Sequence, residues 1–359
     1  MSHSRCTLYI DLKTIKDNYS TLRKLTNSEV AACIKANAYG LGASQVAPVL
    51  EEAGCKNFFV SFCHEGVELR KTIGPKANIY SLHGVFSSEL EEFREYKLTP
   101  VLNHLYQIEI WQNYALLLGK MLPCIIHVNT GMHRLGLPLN EIQSLNLDRD
   151  ASRLNVLYVM SHLTSAESVD SPTNQEQLEK FKLYSIKFKG IKQTLANSGG
   201  IFLGKDYHFD LVRPGAALYG INPAPYLKNP IKLFAPIIQL HDLPSGSSLG
   251  YNNTYTNTRN KSCLIATLPI GYADGISRAL SNKGEVFIDG VSAPIIGRVS
   301  MDLITIDVSH VNPDKVFLGQ EVEIIGDNCP PETLAQLLNT NSYEILTMLG
   351  DRYERRYSK

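Results

Sequence analysis

Along the first two thirds of the chain, short apolar runs alternate with longer amphipathic stretches. The apolar runs fall at 31–34, 58–62, 78–82, 98–102, 124–128, 156–160, 191–195 and 210–212 and read as buried strands. Between most of them, at 43–53, 65–71, 89–95, 104–117 and 175–188, apolar residues recur at helical spacing. Alternation of this kind predicts parallel strands joined by crossover helices. Eight units within about 220 residues fit a closed (β/α)8 barrel better than an open doubly wound sheet.

Past about residue 233 the helical periodicity fades. Short β-type segments follow at 237–240, 263–268, 285–288, 293–296, 303–308 and 321–325, separated by Gly, Pro, Asn and Asp. Asp289-Gly290, flanked by Ile288 and Val291, is a hairpin signal. Only 332–338 and 343–348 carry a helical pattern there. The expected fold is therefore α/β: a (β/α)8 TIM-type barrel over residues 1–233, then a mostly β domain over 234–359. Residues 9–12, ahead of the first barrel helix, are expected to pair with that second domain.

Composition narrows the partners. Lysine plus arginine equals aspartate plus glutamate at 35 each, and this balance gives no electrostatic footprint for nucleic acid or an anionic membrane. The seven cysteines are scattered, with no C-x-x-C pair and an odd total, so neither a disulfide framework nor a metal site is expected. The opening residues lack a signal-peptide pattern, and no run of about 18 apolar residues occurs. A cytoplasmic protein with free thiols is the expectation.

In such a barrel, reactive residues gather at the carboxyl ends of the strands. The first run ends at Lys35, and the fifth leads into a loop carrying Arg134. Ser161-His162 follow the sixth, Asn197-Ser198-Gly199-Gly200 the seventh, and Arg213-Pro214-Gly215 the eighth. A lysine, two arginines, a histidine and a serine on one mouth can hold a phosphate and a carboxylate around an amine nucleophile. Taken singly, each has a plainer reading. Lys35 could be a rim lysine, His162 a packed core histidine and Arg213 a loop brace, while Tyr272 is one of 18 tyrosines.

Four stretches change that weighting: Ile34-Lys35-Ala36-Asn37-Ala38-Tyr39-Gly40, Arg213-Pro214-Gly215-Ala216-Ala217-Leu218-Tyr219-Gly220, Pro269-Ile270-Gly271-Tyr272-Ala273-Asp274-Gly275 and Gly297-Arg298-Val299-Ser300-Met301-Asp302. In order and spacing they resemble the motifs of the alanine racemase family, and the resemblance runs through nearly the whole chain. It implies pyridoxal 5'-phosphate carried covalently on Lys35. Tyr39, Ser198, Gly215 and Ala216 are implied on its phosphate side, with His162 and Arg213 around its ring. Arg134, helped by the backbone of Met301, would bind the substrate carboxylate. The implied reaction interconverts L- and D-alanine with two bases, Lys35 acting on the D enantiomer and Tyr272 on the L. Tyr272 is implied to come from the partner subunit of a homodimer, and the product to supply cell-wall peptidoglycan. A tyrosine is ordinarily protonated at neutral pH, so nearby positive charge must help it act as a base; His162 and Arg213 are the candidates. Arginine can only donate, so Arg213 at the ring nitrogen would leave that nitrogen unprotonated and restrain side reactions.

The chain also departs from the family pattern. His127 stands where many members carry a carbamylated lysine, and Asn129 where aspartate is usual. Leu41 replaces a frequent histidine, and Asp351 falls where a phosphate-binding tyrosine is common. Asp274 and Arg298 read as structural, and Asp302 could be so too. The competing functions are a racemase of serine, lysine or broader specificity, an amino-acid decarboxylase on a related scaffold, and a non-catalytic pyridoxal-phosphate-binding protein. Arg134 and the Tyr272-bearing domain argue against the last two.

Overall fold

The computed structural model describes residues 6–221, 224 and 226–358. The chain divides into two compact units. One is Thr14–Lys228; the other joins the N-terminal segment through Lys13 to Asn229 and everything after it. A boundary at 233/234 would cut the strand Ile231–Pro236. That strand lies in the second unit, because it pairs with Thr7–Asp11 on one side and with Glu321–Ile325 on the other.

In the unit Thr14–Lys228, seven parallel strands lie side by side in chain order: Ala32–Cys33, Asn57–Val60, Asn78–Ser81, Leu98–Leu102, Leu122–His127, Leu154–Met160 and Lys192–Thr194. The eighth strand, Leu211–Val212, closes the ring. It pairs in parallel with Glu29–Val30, the start of the first strand, and this ladder continues through Ala31 N–H to Val212 O (2.9 Å) and Cys33 N–H to Pro214 O (2.9 Å). On its other side, Asp210 N–H donates to Gln193 O (3.0 Å) and Arg213 N–H to Ala196 O (2.9 Å). The interior is filled by residues such as Phe59, Tyr80, Val101, Ile125, Met160 and Leu211, drawn from six strands. This is a packed core, which fixes the strand ends as a rigid platform. The outer helices carry ordinary punctuation. Leu105–Leu118 stops at Gly119, whose φ of 62° suits glycine, and Pro172–Ser185 starts with proline where a missing N–H costs nothing.

The second unit is mostly β. Its six-stranded sheet runs Val291–Pro294, Glu285–Ile288, Glu321–Ile325, Ile231–Pro236, Thr7–Asp11, Glu354–Ser358. A three-stranded antiparallel sheet is formed by Gln239–Leu243, Cys263–Leu268 and Ile304–Asp307. The hairpin signal forms a two-residue turn: Ile288 pairs with Val291, and Asp289 and Gly290 have φ of 48° and 81°, the positive pair that such a turn requires. Helices occur at Pro331–Leu338 and Ser342–Thr347. Among the described residues, no helix is long and apolar enough to cross a membrane.

Ile125 is fully buried in the barrel interior. Ile125→Ala is expected to lower stability by about 2–5 kcal/mol, measured as a lower urea midpoint at unchanged slope. A loss under about 1 kcal/mol would contradict a tightly packed interior.

Candidate active site

Lys35 stands just past the first barrel strand, and the backbone after it takes a rare course. Ala36, Asn37, Ala38 and Tyr39 have φ of 51°, 54°, 55° and 56°, so four consecutive residues with side chains sit in the left-handed region. Each costs about 1–2 kcal/mol, so the turn persists only because its surroundings hold it. Ala36 N–H donates to Glu65 Oε1 (2.7 Å), while the other oxygen of Glu65 accepts from Ser61 N–H (2.6 Å) and Phe62 N–H (3.1 Å). Asn37 accepts from Ala43 N–H at its side chain (2.8 Å) and from Gly42 N–H at its carbonyl (2.9 Å). Ala38 is buried, and the Tyr39 ring packs 5.0 Å from that of Tyr219. Leu41, one of the departures, is also buried.

The turn brings Tyr39 against the end of the eighth strand. A β-carbon on Gly215 would collide with the Tyr39 hydroxyl and lie 3.2 Å from Cβ of Cys33, so only glycine permits this approach. Ser198 Oγ accepts from the N–H of Gly215 (2.9 Å) and of Ala217 (3.1 Å). Between them, Ala216 N–H has no acceptor among the described residues. Hydroxyls and backbone N–H groups gathered at a glycine-bearing turn suit a phosphate.

Beside this cradle lies Arg213, buried and without a carboxylate partner among the described residues. It donates to Thr194 Oγ1 (2.6 Å), Ser161 O (2.6 Å) and Leu195 O (3.3 Å), leaving its Nε–H without an acceptor among the described residues. Burial lowers its pKa to about 10, so it stays charged at neutral pH. Its charge acts on two histidines. His162, past the sixth strand, is pushed well below the ordinary value by burial first, then by Arg213, His127, Arg134 and Lys35. His127 falls to about 3, by burial first and then by Arg213 and Arg134. His162 therefore contributes a neutral imidazole here rather than the positive charge expected of it.

The tautomer of His127 follows from its neighbour. The Asn103 amide nitrogen donates to Leu82 O (3.0 Å) and Val101 O (2.9 Å), which turns its oxygen toward His127 Nδ1 at 2.7 Å. Nδ1 must carry the proton, and Nε2 is a bare acceptor. Arg134 is exposed and has no hydrogen bond or ion pair among the described residues, yet it lies close enough to bias both histidines. Its loop is shaped by Asn129, whose side-chain oxygen accepts from Gly131 N–H (3.0 Å) and His133 N–H (3.1 Å). An amide in place of the usual carboxylate still caps this turn.

Tyr272 and Met301 belong to the other unit, on two turns joined edge to edge. Tyr272 N–H donates to Ser300 O (3.0 Å) and Ala273 N–H to Met301 O (3.0 Å). A β-carbon on Gly271 would strike both of those carbonyls. The Asp274 carboxylate accepts from Gly271 N–H (2.9 Å) and from Arg352, which the sequence reading passed over. Asp351, its neighbour in sequence, has a side chain 99% exposed, 3.8 Å from Arg355. Asp274 thus has the structural place expected of it.

His127 makes stability depend on pH. Its folded value of about 3 lies below the ordinary 6.5, so between these values the unfolded chain binds the extra proton. Stability should fall as pH drops through this window, by up to about 1.4 kcal/mol per pH unit for one proton. His127→Gln is expected to flatten that slope in urea unfolding between about pH 6.5 and about pH 4; a wild-type slope in the variant would refute the assignment.

The arrangement matches known proteins along its whole length. The family model described as "Alanine racemase, N-terminal domain" matches residues 10–223, and that described as "Alanine racemase, C-terminal domain" matches 231–357. The chain is 54% identical over 358 residues to a protein of Rickettsia canadensis (strain McKiel) named alanine racemase, covering 99% of this chain and 100% of the relative. Its fold superposes with a TM-score of 0.95, at 39% identity, on the alanine racemase of Bartonella henselae with covalently bound pyridoxal phosphate, covering 99% and 100% of the two chains. For the biosynthetic alanine racemase of Pseudomonas aeruginosa the TM-score is 0.90 at 29% identity, with the same coverage. With both halves matched in order and the full length shared, this chain belongs to the alanine racemase family.

Proposed function

We propose that the protein interconverts L- and D-alanine with pyridoxal 5'-phosphate held covalently by Lys35. The observation that carries this reading is the donor set on one barrel mouth: an amine, a buried cation, a neutral imidazole and a phosphate-type cradle. Ser198, Gly215, Ala216 and Tyr39 would hold the phosphate, and His162 would flank the ring. The spare Nε–H of Arg213 would meet the ring nitrogen; because arginine only donates, that nitrogen keeps its lone pair. Pyridoxal phosphate, when bound, supplies the electron sink that makes the α-hydrogen of an attached amino acid acidic.

The rest of the chemistry falls to the chain's own side chains. Arg134 binds the substrate carboxylate, and its exposed fork remains available for a bidentate pair. Met301 assists through its backbone. Lys35 takes the α-proton from D-alanine while Tyr272 delivers a proton to the opposite face. From L-alanine the roles reverse, Tyr272 taking the α-proton and Lys35 delivering one to the other face. Tyr272 is contributed across the interface of a homodimer, so each complete site uses two chains. A cytoplasmic enzyme of this kind supplies D-alanine for cell-wall peptidoglycan.

Lys35→Ala is expected to lose both the cofactor absorbance after dialysis and all racemisation. Tyr272→Phe should keep the absorbance but lose roughly a hundredfold or more in turnover. Circular dichroism or chiral chromatography with L-alanine, beside L-serine and L-lysine, reads the activity. D-Alanine formed well ahead of the other products supports the assignment. A protein that binds cofactor yet racemises none of them defeats it.

A further inference from the structure

We propose that Arg352 is a positioning residue that locks the Tyr272 turn and the Met301 turn into a single rigid element. Tyr272 is exposed, and its side chain makes no hydrogen bond or ring contact among the described residues. The backbone of residues 271–275 is therefore what fixes the position and direction of its Cα–Cβ bond, from which the phenol extends. That backbone hangs on Asp274, whose carbonyl accepts from Tyr353 Oη and from Gly350 N–H (3.2 Å). Its buried carboxylate accepts from Gly271 N–H and from both Nε and one terminal nitrogen of Arg352 at 2.7 and 2.8 Å. The remaining terminal nitrogen of Arg352 donates to Asp302 at 2.7 Å. Asp302 directly follows Met301, so one guanidinium grips both turns from behind.

The two arms differ in kind. The Asp274 side chain is 6% exposed, and its two-point pairing with a planar fork fixes angle as well as distance. The Asp302 arm joins side chains 57% and 52% exposed, and such pairs contribute little to stability. Its effect is geometric: it ties the Met301 turn to the fork that already holds the Tyr272 turn. Lysine could keep one contact but not three in a plane.

This inference rests on Tyr272 serving the L face, and the test separates the two. Holoenzyme variants Arg352→Lys and Asp302→Asn are assayed in both directions with α-deuterated L- and D-alanine. In Arg352→Lys, kcat/KM should fall roughly tenfold to a hundredfold, equally in both directions as the overall equilibrium requires. Because only transfer at Tyr272 is slowed, the substrate isotope effect should rise from L-alanine and fall from D-alanine. Asp302→Asn should shift both effects the same way by a smaller factor, with a melting temperature within about 2 °C of wild type, so it decides the matter if Arg352→Lys does not fold. Isotope effects unmoved in both directions, whatever the activity, overturn the proposal alone if Tyr272→Phe is crippled. A fully active Tyr272→Phe overturns the assignment of the base and the proposal with it.

Discussion

A buried cation with no carboxylate to neutralise it among the described residues organises the barrel mouth. Taking the Arg213 guanidinium out of water costs several kcal/mol, and the charge is met only by a hydroxyl and two backbone carbonyls. Those acceptors come from the ends of the sixth and seventh strands, so the eighth is stitched to both where the reactive residues emerge. Burial first, and then the same charge, keeps His162 and His127 neutral, which spares the mouth two further cations. What remains is a concentrated positive field with a spare N–H, an environment that favours an anion or a lone pair and disfavours a proton.

The side chains proposed to react are held mainly through backbone. Lys35 precedes a turn pinned by N–H groups on Glu65 and Asn37. Tyr272 rides on a turn whose N–H groups meet the carbonyls of the neighbouring loop. Backbone pairing leaves few torsions free, whereas long side-chain networks can hop between rotamers. It suits a reaction in which a proton must be met from two fixed sides.

Much of this was legible in the sequence, and for identifiable reasons. The eight runs each coincide with a strand, because barrel strands covered on both faces are mostly apolar; Lys192–Thr194, with Lys192 exposed, departs most from that pattern. Asp289-Gly290 announced its turn because few other pairs accept positive φ twice. Lys35 and Arg213 were visible through their motifs. The left-handed run after Lys35 was not, since Ala-Asn-Ala-Tyr carries no glycine to betray it. Arg352 carries no local signal, because its partners lie 78 and 50 residues away. The neutrality of His162 was likewise hidden, being set by burial first and then by charges that only folding assembles.

The turn at Ala36–Tyr39 turns substitution tolerance at these positions into a matter of handedness. A β-branched L-residue would strain these torsions further, while an achiral residue, or one of mirror-image configuration, would relax them. Chemical synthesis could place D-alanine at positions 36 and 38, where the natural L-residues are strained and the D-forms would rest in their preferred basin. The backbone beside the lysine proposed to react is thus shaped as though for the enantiomer that such a catalyst would make.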